Sequence, residues 1–444
     1  MIPGKKNETA DPRRRQLVEL GAEKLADILL DFAHRNDEID DCVDWMVASR
    51  ETRLALVKAK IAGLHRLHDF IDWRHAAEFE RNVSVILDEI KSLDPPPETG
   101  LLLVADFFRT DSAVIEGCDS DSTGMIYEYD AAELFAEFAK RCKQKTSVMD
   151  LLIELLGDDA YSVRGSLLKH AAEFLSKANL KVLFERLQKD PEELGTRGNL
   201  AELAKQMKDV ELFIRLNSDP KTGELPNSRF LPIAELCYDC GKYQDAMSWL
   251  QKIPREEYVP SDFKKKLFAK LGMNREVEAL CRQSFFSCPS PETLAELLKT
   301  VGRDKKQTVI AEAMEEFFGE EYFSTERMNF MLMYKGAEAA AAYVIPRWRK
   351  VDGNNYAALN QLWPVMKRKG APLAATIILR ALLDSILERK KAKAYYYGAE
   401  YWHELEGLAS TVQNWFDLPS HKDYTDKIRS DHKRKHAFWA EVNP

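Results

Sequence analysis

The stretch DSDSTGMIYEYD, residues 119–130, spaces its oxygen-bearing side chains as a calcium-binding loop does. Asp119, Asp121, Thr123, Gly124, Ile126 and Asp130 fall at positions 1, 3, 5, 6, 8 and 12 of that template, with glycine at the sharp turn and an apolar residue in eighth place. Two departures weaken the match. Thr123 stands where Asp or Asn is usual, and Asp130 is one methylene shorter than the glutamate that binds through both oxygens. The same letters also read as a polar loop in which Asp130 N-caps a helix over AAELFAEFAKRC.

A second set of ligand-type residues lies in HRLHDFIDWRH. On one continuous helix His65, His68, Asp72 and His75 would share an arc of about 80°, a plausible set for zinc or another transition metal. If Asp72 instead N-caps the helix carrying Phe79, Val83 and Ile86, the set is split between two elements. Cys237 and Cys240 form a C-x-x-C at the end of a predicted helix, with no second pair at zinc-ribbon distance. That pattern favours packing thiols. No phosphate-binding glycine loop, dinucleotide fingerprint, H-E-x-x-H or G-x-S-x-G occurs. The expectation is a protein that is not an enzyme and carries no cofactor.

The closing segment HKDYTDKIRSDHKRKHAFWAEV gathers cations beside aromatic residues. Read as one helix, it places His432 and His436 on one face, Ile428, Trp439 and Val442 near an apolar stripe, and Lys433, Arg434 and Lys435 in solvent. A solvated end-cap and a contact for an acidic or phosphate-bearing partner both fit. Lys390 and Lys391 lie in ERKKAKAYYYGAEYW, whose Tyr395, Tyr396, Tyr397 and Trp402 could stack on bases while the lysines meet phosphates. Those aromatics also have the spacing of a helical core.

The chain has 444 residues, a net charge of −8, and 45% hydrophobic and 31% charged residues. Residues 341–444 hold 17 Lys and Arg against 11 Asp and Glu, so an acidic body precedes a basic end. No apolar run is long enough for a signal peptide or a membrane span. Seven scattered cysteines fit a reducing compartment, and a cytoplasmic location is expected.

Helical periodicity must position these residues almost everywhere. LVELGAEKLADILLDFA sets Leu17, Leu20, Leu25, Ile28, Leu29 and Phe32 near one face, and no sustained alternation calls for a sheet. Short breaks at 94–100, 116–124, 217–227, 288–292 and 351–355 separate helices of ordinary length, the pattern of stacked antiparallel pairs. FLPIAELCYDCGKYQDAMSWLQKIP carries G-x-Y-x-x-A on Gly241, Tyr243 and Ala246 and resembles a tetratricopeptide hairpin. LGMNREVEALCRQSF repeats the pattern about 30 residues later.

LGAEKLADILLDFA, FIDWRHAAEF, GNLAELAKQMKDVELFIRL, the Gly241 hairpin and the terminal AYYYGAEYWHEL, LPSHKDY and HKRKHAFW together resemble a bacterial family of unknown function. The C-terminal half is similar to the helical region that follows the finger in SWIM-type zinc-finger proteins. The finger's own Cys-x-Cys pair is missing from this chain. The resemblance implies an α-helical repeat fold and no chemistry.

The sequence therefore predicts an all-α superhelix of tetratricopeptide-like hairpins. Its expected parts are an unstructured segment 1–15, a helical-repeat region 16–220, hairpins over 225–350 and a basic helical cap 351–444. The expected role is a scaffold for an unidentified protein partner, with nucleic-acid binding through the basic quarter as the rival.

Overall fold

The computed structural model describes residues 12–67, 69–189, 196–389 and 391–443, except for the side chains of Pro12, Arg15, Asp37, Glu38 and Asp41. His68, Lys390 and residues 1–11 of the segment expected to be unstructured lie outside the described residues. A helix begins at Pro12, inside that segment, and runs to Glu19.

The described residues are all-helical, with no strand. Their one bridge is isolated, where Ile71 donates to the Gly117 carbonyl at 2.7 Å and accepts from the Asp119 amide at 2.9 Å. Many helices start where a side-chain oxygen can take an orphan amide. Ser49, Ser176, Asp209 and Ser324 do this, and Ser290 forms a reciprocal capping box with Thr293 just before Pro291.

Two compact units divide between Glu257 and Tyr258, inside the segment expected to form hairpins. In the first, a core from Val57 to Met207 surrounds a buried ion pair. Arg164 donates from Nε and Nη2 to the two oxygens of Asp111 at 2.7 and 2.8 Å, and from Nη1 to the Leu155 carbonyl at 3.2 Å. Asp111 is wholly buried and Arg164 is 2% exposed, so each charge depends on the other for solvation. Beside them the Tyr127 hydroxyl lies 2.8 Å from Thr110 Oγ1, which in turn donates to the Phe107 carbonyl. Burial pushes the Tyr127 hydroxyl pKa well up, so it stays a neutral donor.

Also in the first unit, Phe230–Asp239 packs on Tyr243–Leu250 across Gly241, whose φ of 74° ends the first helix in a conformation that side chains resist. Ala234 and Ala246 are buried in the crossing, and the rings of Phe230 and Trp249 meet at 5.7 Å. From Gly241 onward, positive-φ glycines recur every 30–34 residues, at Gly241, Gly272, Gly302, Gly336 and Gly370, whereas Gly21 and Gly223 fall outside that spacing.

The second unit has its own core, running from Cys281 to Val442. Arg347 caps a helix there: Nη2 donates to the carbonyls of Phe317, Phe318 and Glu320, placing a cation at the negative end of the Lys306–Gly319 helix. Gly353 sits against Pro372–Glu388 so closely that a Cβ there would lie 1.9 Å from the Ala381 carbonyl oxygen.

The first three helices contrast with both cores. Ala22–Ala33 packs against Asp37–Val47, yet among the described side chains of the pair only Ala33 and Val43 are buried. Leu17, Ile28, Leu29, Phe32, Met46 and Val47 are exposed, with Phe32 at 56% and Val47 at 76%. The stripe that periodicity assigns to a core is thus left facing outward.

Candidate functional site

The residues nearest to a built site belong to the last three helices, Tyr395–Ala409, His421–Asp431 and His436–Val442. The closing segment is not one helix. His421–Asp431 stops at His432, residues 433–435 form a turn, and a new helix starts at His436. His432 and His436 therefore do not share a helical face, which corrects the expectation from their spacing. The break has a physical cause. Phe438, fully buried, turns inward against Tyr395 at 5.8 Å, and the Trp439 indole donates to the His432 carbonyl at 2.9 Å, satisfying a helix end that would otherwise be orphaned. Ile428 and Val442 are buried as the apolar stripe requires, while Lys433 and Arg434 are exposed.

These helices line a solvent-open pocket of about 340 Å³. Trp402 and Trp439 form its walls, with ring centroids 5.4 Å apart at 85°. The Arg429 guanidinium lies over Trp402 at 5.4 Å, and Lys433 follows at the turn. Neither cation has an ion-pair partner among the described residues. The pocket's carboxylate, Glu406, is occupied: Trp402 Nε1 donates to Oε1 at 2.8 Å, and His403 Nδ1 lies 3.4 Å from Oε2. What remains is a concave space beside Trp439 with two cations that have no ion pair among the described residues, one of them resting on Trp402.

A buried polar cluster docks the helix that carries Arg429. Arg380 donates to the Pro419 carbonyl at 2.8 Å and lies between the rings of Trp415 and Tyr424, at 4.8 and 4.3 Å. Its Nε and Nη2 are buried without hydrogen-bond partners, and burial brings its pKa down to about 10. Tyr424 donates its hydroxyl to Asp384 Oδ1 at 2.7 Å. Burial, reinforced by Glu388 and opposed by Tyr424, Lys427 and Arg380, pushes the Asp384 carboxyl up to about 6. Burial and the Arg380 and Arg429 charges lower the His421 pKa.

A folded-state pKa above the ordinary carboxyl value means that Asp384 contributes stability fully below about pH 4, and that this contribution is lost as pH rises through about 6. His421 acts in the opposite sense, favouring the fold above its ordinary pKa and losing that contribution as pH falls through its lowered value. Comparing Asp384→Asn with wild type isolates the first effect. We expect the wild type to gain melting temperature relative to Asp384→Asn between pH 8 and pH 5. A difference that does not change with pH would contradict the assignment.

The other predicted sites come out as follows. Asp119 and Asp121 lie in the loop, but the backbone is helical from Thr123, first as α and then as a π turn over Ile126–Ala131. Asp130 is inside that helical stretch, so it neither N-caps the next helix nor closes a twelve-residue loop, which corrects both readings of the stretch. Ser120, Ser122 and Thr123 turn their hydroxyls to Glu80 Oε1, at 2.5, 2.6 and 3.4 Å. Asp130 instead faces Asp88 and Glu133, and burial followed by those two charges raises its pKa.

Asp72 N-caps Trp73–Leu93, accepting from the Arg74 amide at 2.9 Å, while the preceding helix ends at Leu64. His65 and His75 are thereby split between elements, and His75 Nδ1 sits 3.1 Å from Asp72. Cys237 is buried, its thiol pushed up to about 11 by burial, and Cys240 lies 3.6 Å from the Lys208 carbonyl. No group of three or more His, Cys, Asp or Glu among the described residues is placed to hold a metal ion. Lys391 is exposed next to the exposed Tyr396 and Tyr397, whereas Tyr395 and Trp402 belong to the core. Spacing alone missed Arg429, His403 and Glu406. The i,i+4 step from Trp402 to Glu406 and the i,i+3 step from His403 to Glu406 were the available signals.

A model of a family of unknown function, DUF6880, matches residues 13–201 and 193–441. The chain belongs to this family. No curated protein and no solved structure matches the chain. No described helix of this family member is long and apolar enough to cross a membrane.

Proposed function

We propose that this DUF6880 member is a non-enzymatic helical scaffold that binds a protein partner, its helices stacked as a tetratricopeptide-like superhelix. The recurrent glycine turns support the repeat reading, since each repeat buries its faces only against its neighbours. One observation carries the binding reading: the outward stripe of large apolar side chains on the first three helices, a surface that a folded protein exposes chiefly where something covers it. In sequence, residues 22–47 hold eight Asp and Glu against two Lys and Arg. The fitting partner presents an apolar face bordered by basic residues.

The test is affinity capture from the organism of origin, with nuclease present, comparing wild type with Ile28→Asp/Phe32→Asp. We expect a defined protein to survive nuclease, to be lost at least tenfold with the double variant, and to rebind when purified. Capture unaffected by the double variant would overturn the assignment of the face. A concentration-dependent mass in light scattering, lost with the same variant, would make the partner a second copy.

A second reading, nucleic-acid association, draws on Tyr396 and Tyr397, both more than half exposed beside Lys391 and Lys393. Captured material lost on nuclease treatment would favour it. The chain's net charge of −8 favours the protein partner.

A further inference from the structure

We infer that the pocket of Trp402, Arg429, Lys433 and Trp439 is a recognition site for a carboxylate-bearing peptide segment of the partner protein, an inference that rests on the scaffold reading. The recognition chemistry lies in its lining. Arg429 and Lys433 are two unpaired cations facing a common space, and the Glu406 oxygens are already engaged by Trp402 and His403. A monoanion entering there meets net attraction and oriented donors.

The indole walls set what accompanies the anion. Trp402 is almost wholly buried, its Nε1 already bonded, and the Trp439 Nε1 is spent on His432. Trp402 is covered by the Arg429 guanidinium, so the half-buried Trp439 ring is the apolar face left at the pocket, suited to an aromatic or aliphatic side chain next to the carboxylate. A space of about 340 Å³ holds one or two side chains.

Charge separates a carboxylate from a phosphate-bearing ligand. Glu406 remains in the wall and repels a dianion more than a monoanion. Arg434, exposed and outside the lining, is not needed.

The experiment is selection of a displayed random dodecapeptide library on the full chain, followed by titration of the enriched peptide. We expect enrichment of Asp or Glu, or of a free C-terminus, next to an apolar residue. Replacing that carboxylate by its amide should weaken binding at least tenfold, a comparison that leaves the protein unaltered. Arg429→Gln/Lys433→Gln should weaken it to the same extent, and Arg434→Gln should not. Enriched peptides without a carboxylate, equal binding of the amide, no enrichment, or displacement of the peptide by inorganic phosphate or a twelve-residue oligothymidine would each overturn the inference. Partner capture by the Arg429→Gln/Lys433→Gln chain separates the two claims. Capture retained while peptide binding fails removes the pocket and leaves the scaffold, whereas peptide binding with no captured partner does the reverse.

Discussion

Asp111→Ala is expected to destabilise the first unit by about 3–5 kcal/mol, the effect of stranding a buried cation. Arg164 would keep its bond to the Leu155 carbonyl but lose both charge-assisted bonds, with the exposed Asp158 oxygen, at 3.8 Å, and the more weakly coupled Asp159 left nearby. Asp111→Leu/Arg164→Met should be markedly less damaging, because an apolar pair removes both desolvation penalties together. Native-state hydrogen exchange over Asp111–Glu116 and Arg164–His170 reads the loss where it occurs. A drop of under about 1 kcal/mol for Asp111→Ala would mean that the pair is better solvated than its burial implies.

Phe438→Ala should cost about 3–5 kcal/mol in the second unit, since an entire buried ring is deleted. The ring fits tightly: a Cβ on Gly398 would stand 3.1 Å from Phe438 Cε2, and Trp439 packs on its other side at 4.9 Å. Without it the His436–Val442 helix loses its anchor. We expect earlier proteolysis after Asp431, red-shifted tryptophan emission and loss of the peptide binding proposed for the Trp402 pocket. A stable variant with unchanged emission would show that the terminal helix is held by Trp439 and Val442 instead.

These two sites also show what the amino-acid string makes legible. Local signals were readable because their causes are local: the apolar period of the helices, the Gly241 turn, and Asp72 as a cap two residues before the amide it accepts from. Asp111 and Arg164 are 53 residues apart, and Ser120 and Glu80 are 40 apart. No spacing rule connects them.

The terminal segment failed differently. His432 and His436 have helical spacing, and the break between them arises because Phe438 and Trp439 reach buried partners only if the chain turns first. In the calcium-like stretch, Thr123 and Asp130 have ligand-type side chains, but a helix beginning at Thr123 settles the backbone before any loop can wrap. The opposite case is the first helical pair, where the amphipathic pattern was plain and the described residues leave its large apolar side chains exposed.

The central claim is that this chain works by binding a protein through its exposed helical surface. Its most direct test is hydrogen exchange of the purified full chain with and without the captured partner. The account predicts slower exchange concentrated in residues 17–47, with a second protected region at Trp402–Glu406 and Arg429–Asn443. Protection absent from 17–47, or appearing only when nucleic acid is added, would contradict it.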